Sequence, residues 1–234
     1  MSQAVAAELF SRGSPLGDGV AEGVVGEARV YTLHGLPVVI KRFKNPDLAE
    51  AWEEAIAEYT AHWNIWGSMS EECHNYFARP WKMQSVQVAS HPPHPYTAQA
   101  YVGAGGYTVL GWTVFWQRFS KAKADVAELE KKIAGELARI LCCLYNAGYR
   151  HNDLHAGNVL LLFAEARVAS TVRVKIIDFG DAVRFSDNDQ WWWSETMIRD
   201  LHTLNHEGRK HGLWRSVIRK ANEEFKRTCA SASS

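Results

Sequence analysis

The sequence predicts an α+β chain of two lobes, a strand-rich amino-terminal lobe with one helix and a helical carboxy-terminal lobe. Three observations carry this. Residues 28–43 set two β-prone runs on either side of a Gly-containing turn, which is the pattern of a hairpin. Residues 125–147 repeat apolar side chains at helical spacing along one face. Just beyond them, two short loops, His151-Asn-Asp-Leu-His-Ala-Gly-Asn158 and Asp178-Phe-Gly180, place two carboxylates and a carboxamide beside strand-like apolar runs.

Taken in order, residues 1–15 read as a flexible arm. The hairpin follows, with residues 28–33, a turn over 34–37 where Gly35 supplies positive φ, and a Val/Ile-rich strand over 38–43. Asn45-Pro46-Asp47 opens a helix, because Pro suits a first turn and Asp favours the positive end. Trp52, Ile56, Tyr59, Trp63 and Trp66 recur along it at three- and four-residue spacings, and Gly67 is placed to stop it. Strand-like runs over 81–89 and 96–102 come next, and Gly103-Ala-Gly-Gly106 breaks the pattern. That break divides a lobe over 16–102 from one over 103–234.

In the second lobe, Val126, Leu129, Ile133, Leu137, Ile140, Leu141 and Leu144 form one helical face, and Gly148 is a C-terminal stop. This helix leads directly into the His151 loop. Two further helices are predicted over 194–206 and 213–227, after the aromatic triplet Trp191-Trp-Trp193.

Bulk properties narrow the function. With 26 basic and 26 acidic residues among 234, the formal charge is zero, so no general attraction to nucleic acid or an anionic membrane is expected. The apolar run 159–163 is far too short to span a bilayer, and the N-terminus lacks a basic segment followed by an apolar one. The four cysteines show no C-x-x-C spacing. Cys142 and Cys143, adjacent in a helical pattern, are expected to pack as small apolar groups in a reducing intracellular setting, cytoplasmic or else nuclear.

The loop residues suggest phosphoryl transfer. Asp153 is ionised at neutral pH and can accept a hydroxyl proton. Asn158 and Asp178 are hard oxygen donors suited to Mg²⁺, which takes its remaining ligands from water and phosphate. A metal cluster made of His151, Asp153 and His155 would leave Asn158 and Asp178-Phe-Gly180 without a role, so that reading is set aside.

His-x-Asp-x-x-x-x-Asn, followed twenty residues after its Asn by Asp-Phe-Gly, resembles the protein-kinase-like superfamily. The resemblance covers residues 16–205. It implies a two-lobed protein-kinase-like fold with a truncated helical C-lobe, using ATP and Mg²⁺ as cofactors. By the same resemblance Asp153 is the catalytic base, Asn158 and Asp178 hold the metal, and Lys41, at the end of Val38-Val-Ile-Lys41, binds the α- and β-phosphates. Glu58 is the expected partner of Lys41, with Glu54 one turn earlier as its competitor. Gly23 and Gly26 are the expected phosphate-loop glycines, with a plain turn between strands as the alternative. With Gln99 as gatekeeper, the Ala100 carbonyl and Val102 amide would read the adenine, and Gly103–Gly106 would be the hinge.

The chain departs from the family pattern in three places. Asn152 replaces the Arg that pairs with a phosphorylated activation loop, His155 stands where Ser/Thr kinases carry Lys, and 54 residues follow Gly180 without Ala-Pro-Glu. The implied activity is therefore transfer of the γ-phosphoryl group to a hydroxyl, with a protein Ser/Thr kinase as the first reading. An aminoglycoside- or choline-type small-molecule kinase is the second, and a non-catalytic nucleotide-binding scaffold the third. The acceptor would be a protein or a small molecule.

Overall fold

The computed structural model describes residues 1–15, 26–83, 94–100, 107–108, 123–154, 157–164, 169–184 and 214–229. Gly23, Val102, Gly103–Gly106, His155, the Trp191–Trp193 triplet and the helix expected over 194–206 lie outside them.

The first residues correct one expectation. Instead of a flexible arm they form helix α1 (Gln3–Arg12), capped by Ser2, whose hydroxyl accepts from the Val5 N–H at 3.3 Å. Ala6, Leu9 and Phe10 are buried against the sheet residues Val38, Ile40, Tyr96 and Ala98. The Gln3 carboxamide accepts from Tyr96 N–H at 2.8 Å and donates to Tyr96 C=O at 3.0 Å, doing for one residue what a neighbouring strand would do. The arm therefore serves as the cover of a sheet face.

That sheet is antiparallel, in the order β1 (Ser14–Pro15), β2 (Gly26–Leu33), β3 (Leu36–Phe43) and β4 (Tyr96–Ala100). The β2–β3 turn is tighter than predicted. Leu33 pairs with Leu36, so the turn is His34-Gly35 alone, both at positive φ (50° and 81°), as a type I′ turn requires. Residues 81–83 are not strand, although Trp81 N–H still bonds to Ala98 C=O at 2.9 Å along the edge of β4.

Helix α2 (Leu48–Ser68) starts where Asp47 caps the Ala49 and Glu50 amides, and it continues through Gly67 rather than stopping there. Its period agrees with the sequence, but its inward face does not. The buried residues are Ala51, Ala55, Glu58, His62 and Ile65, while Ile56 and Trp63 stay 59% and 42% exposed. The small alanines let the helix approach Phe43 closely, and this leaves Trp52, Tyr59 and Trp66 half-buried, with Trp66 packed against the larger core.

The second half is built on α3 (Lys123–Asn146), with Leu129, Ile133, Leu137, Ile140, Leu141 and Leu144 fully buried. Gly148, at φ 77°, ends the helix by donating to Tyr145 C=O at 2.9 Å. A second antiparallel sheet contains β5 (Tyr107–Thr108), β7 (Val159–Phe163) and β8 (Val172–Ile176). A two-stranded ribbon pairs β6 (Tyr149–Arg150) with β9 (Val183–Arg184). Helix α4 (Trp214–Thr228) lays Val217, Ile218, Ala221 and Phe225 on α3. Among the described residues no helix is long and apolar enough to cross a membrane.

The cysteines are a second correction. All four are paired, Cys73 with Cys143 and Cys142 with Cys229, at Cα separations of 5.7 and 5.8 Å. Adjacent helical residues point about 100° apart. Cys142 therefore reaches α4, while Cys143 reaches the 3₁₀ turn Cys73–Tyr76 that follows α2. The inference of reducing surroundings, which rested on unpaired thiols, loses its support.

Candidate active site

The antiparallel β7–β8 pairing puts the site's two loops at one end of the sheet. Val159 lies opposite Ile176, so Asn158 enters β7 where Ile177 and Asp178 leave β8, and Ile177 N–H donates to Asn158 C=O at 3.0 Å. His151 is fully buried and its Nε2 lies 3.0 Å from the Ile177 carbonyl, tying the Asp153 loop to the Asp178 loop. The β6–β9 ribbon closes the same two loops from outside, pairing Tyr149 with Arg184 and Arg150 with Val183.

Asn158 turns its amide nitrogen to Asp153, 2.9 Å from the main-chain oxygen and 3.3 Å from Oδ2. Its Oδ1 is therefore the atom left to meet a cation. Asp178, 42% exposed at the side chain, is the anionic donor beside it. Among the described residues no cluster of three His, Cys, Asp or Glu side chains could hold a metal by itself. The Asn158 carbonyl oxygen and the Asp178 carboxylate are hard oxygen donors, the type that Mg²⁺ takes when phosphate and water complete its shell.

Lys41 joins the two halves. Its Nζ lies 2.5 Å from Glu58 Oε2 and 3.2 Å from Asp178 Oδ1. Glu54 faces elsewhere, accepting from the Asn45 amide at 3.1 Å. Burial alone would push the Lys41 ammonium down. The adjacent Glu58 and Asp178 carboxylates together outweigh it and hold the group well above its usual range, so it stays charged. Burial pushes Glu58 up to about 7, with Lys41 pulling against the rise and Asp178 adding to it. Asp178 moves the other way: burial raises it, but Lys41 and His151 bring it below the ordinary carboxylate value.

Gly26 opens β2 against Lys41. A Cβ there would sit 2.9 Å from the Arg42 carbonyl and 3.1 Å from Lys41 Cε, so the close approach requires glycine. Ala100 ends β4 and donates its N–H to Arg79 C=O at 2.8 Å. In the Asp178 loop the left-handed residue is Asp178 itself (φ 65°), with Asn152 matching it in the other loop (φ 65°).

Sequence reasoning missed His62. It follows Glu58 by one helical turn, is buried, and donates from Nε2 to Ala78 C=O at 2.7 Å. Burial drives its pKa down to about 4, so the ring is neutral. Phe179, 1% exposed, sits 4.8 Å from the His62 ring, 5.2 Å from His151 and 5.9 Å from Phe77. The available signal was the i, i+4 spacing from Glu58, which places both side chains on one face.

No protein-family model matches the chain, and no curated protein matches it in sequence. Solved structures do match. WaaP in complex with acyl carrier protein is similar at TM-score 0.58 and 15% identity, covering 98% of this chain and 83% of that one. A crystal structure of a kinase domain is similar at TM-score 0.54 and 15% identity, covering 76% of this chain and 54% of that one. At such identity the likeness speaks for the fold. Small antiparallel sheets, a helix carrying the partner of the strand lysine, and loops converging at one sheet end describe a truncated two-lobed protein-kinase-like fold, and this chain has it.

Proposed function

We infer that the chain is an Mg·ATP-dependent phosphotransferase that moves the γ-phosphoryl group to a hydroxyl, with protein Ser or Thr as the acceptor. The observation supporting this is the position of Lys41, bonded at once to Glu58 from α2 and to Asp178 from the loop after β8. An ammonium held between two carboxylates is charged and oriented before a nucleotide arrives, so little ordering remains to oppose binding of its α- and β-phosphates. Asp153, steadied by Asn158, accepts the acceptor's proton as the hydroxyl oxygen bonds to phosphorus and ADP leaves. Bound Mg²⁺, with Asn158 and Asp178 as its protein ligands, would neutralise charge on the phosphates. Gly26, with Gly23 before it, covers the phosphates in this reading, and the Ala100 carbonyl and Val102 amide meet the adenine.

A small-molecule acceptor is the second reading, favoured by Asn152 and His155 in place of the Arg and Lys of regulated Ser/Thr kinases. Labelled ATP with Mg²⁺, offered protein and metabolite pools separately, distinguishes the two by which pool takes the label. In either case Asp153→Asn should lower turnover about 10²–10⁴-fold while the fold is retained. Full activity in that variant removes Asp153 from its role. Nucleotide binding with neither transfer nor hydrolysis makes the chain a nucleotide-binding scaffold.

A further inference from the structure

The Cys73–Cys143 bridge lies outside the chemistry described above, yet it joins two supports of that site. Cys143 is on α3, the helix that leads through Gly148 and β6 into the His151–Asp153 loop. Cys73 begins the 3₁₀ turn after α2, the helix that carries Glu58 and His62. The segment around Cys73 is fastened back onto α2: the His74 ring stacks on Trp66 at 3.9 Å, and its Nε2 lies 3.0 Å from the Trp66 carbonyl. It then runs into Phe77, which packs on Phe179, and into Ala78, whose carbonyl receives the His62 N–H. A force on Cys73 is thus passed both to the end of α2 and to the ring that Asp178 precedes. Cys143 is buried and Cys73 half-buried, so the bridge is approachable from the Cys73 side.

We propose that Cys73–Cys143 is a redox latch that holds α2 in the position where Glu58 meets Lys41. When the bridge is oxidised, α2 is pinned to α3. Reduction by a dithiol breaks the S–S bond through exchange. The dithiol supplies two electrons and two protons and becomes a disulfide, and Cys73 and Cys143 become thiols. The turn after α2 is then held by non-covalent contacts alone, and α2 samples positions in which Glu58 and Lys41 part. The Cys142–Cys229 bridge, about 100° around α3 from Cys143, joins that helix to the residue following α4 and does not reach α2. It is the internal control.

The functional part of this proposal rests on the nucleotide-binding reading; the structural part does not. The test uses the full chain with the Cys142→Ala and Cys229→Ala substitutions, leaving only the bridge in question. Oxidised, dithiothreitol-reduced and reoxidised samples are compared, with free thiols counted by alkylation and mass spectrometry. Hydrogen exchange is followed over residues 58–76, and binding of Mg²⁺ with a nonhydrolysable ATP analogue is measured. Reduction should speed exchange across the carboxy-terminal half of α2 and weaken analogue binding about 5-fold or more, both reversed on reoxidation. A full-chain Cys73→Ser variant should match the reduced sample. Unchanged exchange with both thiols free overturns the latch, as does faster exchange with unchanged binding, or thiols that are already free before reduction. If no sample binds the analogue, the nucleotide reading fails, and the exchange rates alone decide the latch.

Discussion

Glu58 and His62, one helical turn apart, titrate in opposite senses, and this gives the protein a pH behaviour that can be tested. His62 is depressed by burial to about 4 from an ordinary 6.5. The unfolded chain therefore binds more protons between those values, and the stability His62 contributes is full above 6.5 and lost as pH falls toward 4. Glu58 is raised by burial to about 7 from 4.5. The native state then binds the extra proton, so its contribution is full below 4.5 and lost as pH rises through 7. Each amounts to at most about 3 kcal/mol, and they oppose each other over the shared window. Unfolding midpoints in urea from pH 4.5 to 6.5 separate the two contributions when each group is removed in turn. They should rise with pH in Glu58→Gln and fall with pH in His62→Gln, whose amide N–H can take the place of Nε2 at the Ala78 carbonyl. Equal slopes in the two variants would contradict the assignment.

Gly26 makes a second residue-scale prediction. A larger side chain must push the Lys41 stem or the Arg42 carbonyl away. Gly26→Val should therefore weaken binding of Mg²⁺·ATP analogue by about tenfold or more through loss of the placed ammonium. Circular dichroism separates that outcome from simple unfolding, and native affinity in a folded Gly26→Val protein would show that the close approach does not matter.

Among the elements, α2 and α3 show what periodicity can and cannot do. In α3 the apolar stripe is the buried face, because Leu and Ile at three- and four-residue spacing have a whole core to fill. In α2 an equally regular stripe is split, with Ile56 and Trp63 exposed and Trp52, Tyr59 and Trp66 half-buried, and the inward face is Ala51, Ala55, Glu58, His62 and Ile65. Spacing reports the period of a helix, whereas the partner surface decides its rotation. Gly135 offers a check on α3. A Cβ there would meet nothing within 4 Å, so Gly135→Ala should stabilise the protein by about 0.5–1 kcal/mol through helix propensity and reduced freedom of the unfolded chain. Guanidinium unfolding measures it, and a destabilised variant would mean the position is crowded in solution.

At the scale of the molecule, α3 is the centre of the larger core, contacted by β8, β6, α4 and the turn after α2. The smaller sheet-and-α1 cluster is separate. Local stability should follow that division. Native-state hydrogen exchange is expected to be slowest over residues 133–144 and faster over α1 and β1, and the reverse order would misplace the core. The same division explains the site. Glu58 and Lys41 come from the first half and Asp153, Asn158 and Asp178 from the second, so the Lys41–Asp178 bond crosses between them.

What the linear sequence determined is what short-range chemistry governs. The hairpin with Gly35, the Asp47 cap, the span of α3 ending at Gly148 and the two loop motifs all depend on neighbours a few residues apart. Tertiary structure alone decided which face of α2 turns inward, hence Glu58 rather than Glu54 at Lys41 and the part played by His62. It also decided that residues 3–12 cover a sheet and that four cysteines make two bridges across 70 and 87 residues. These outcomes depend on contacts between distant segments, where the energy lies in the fit of two surfaces and neither segment carries it alone.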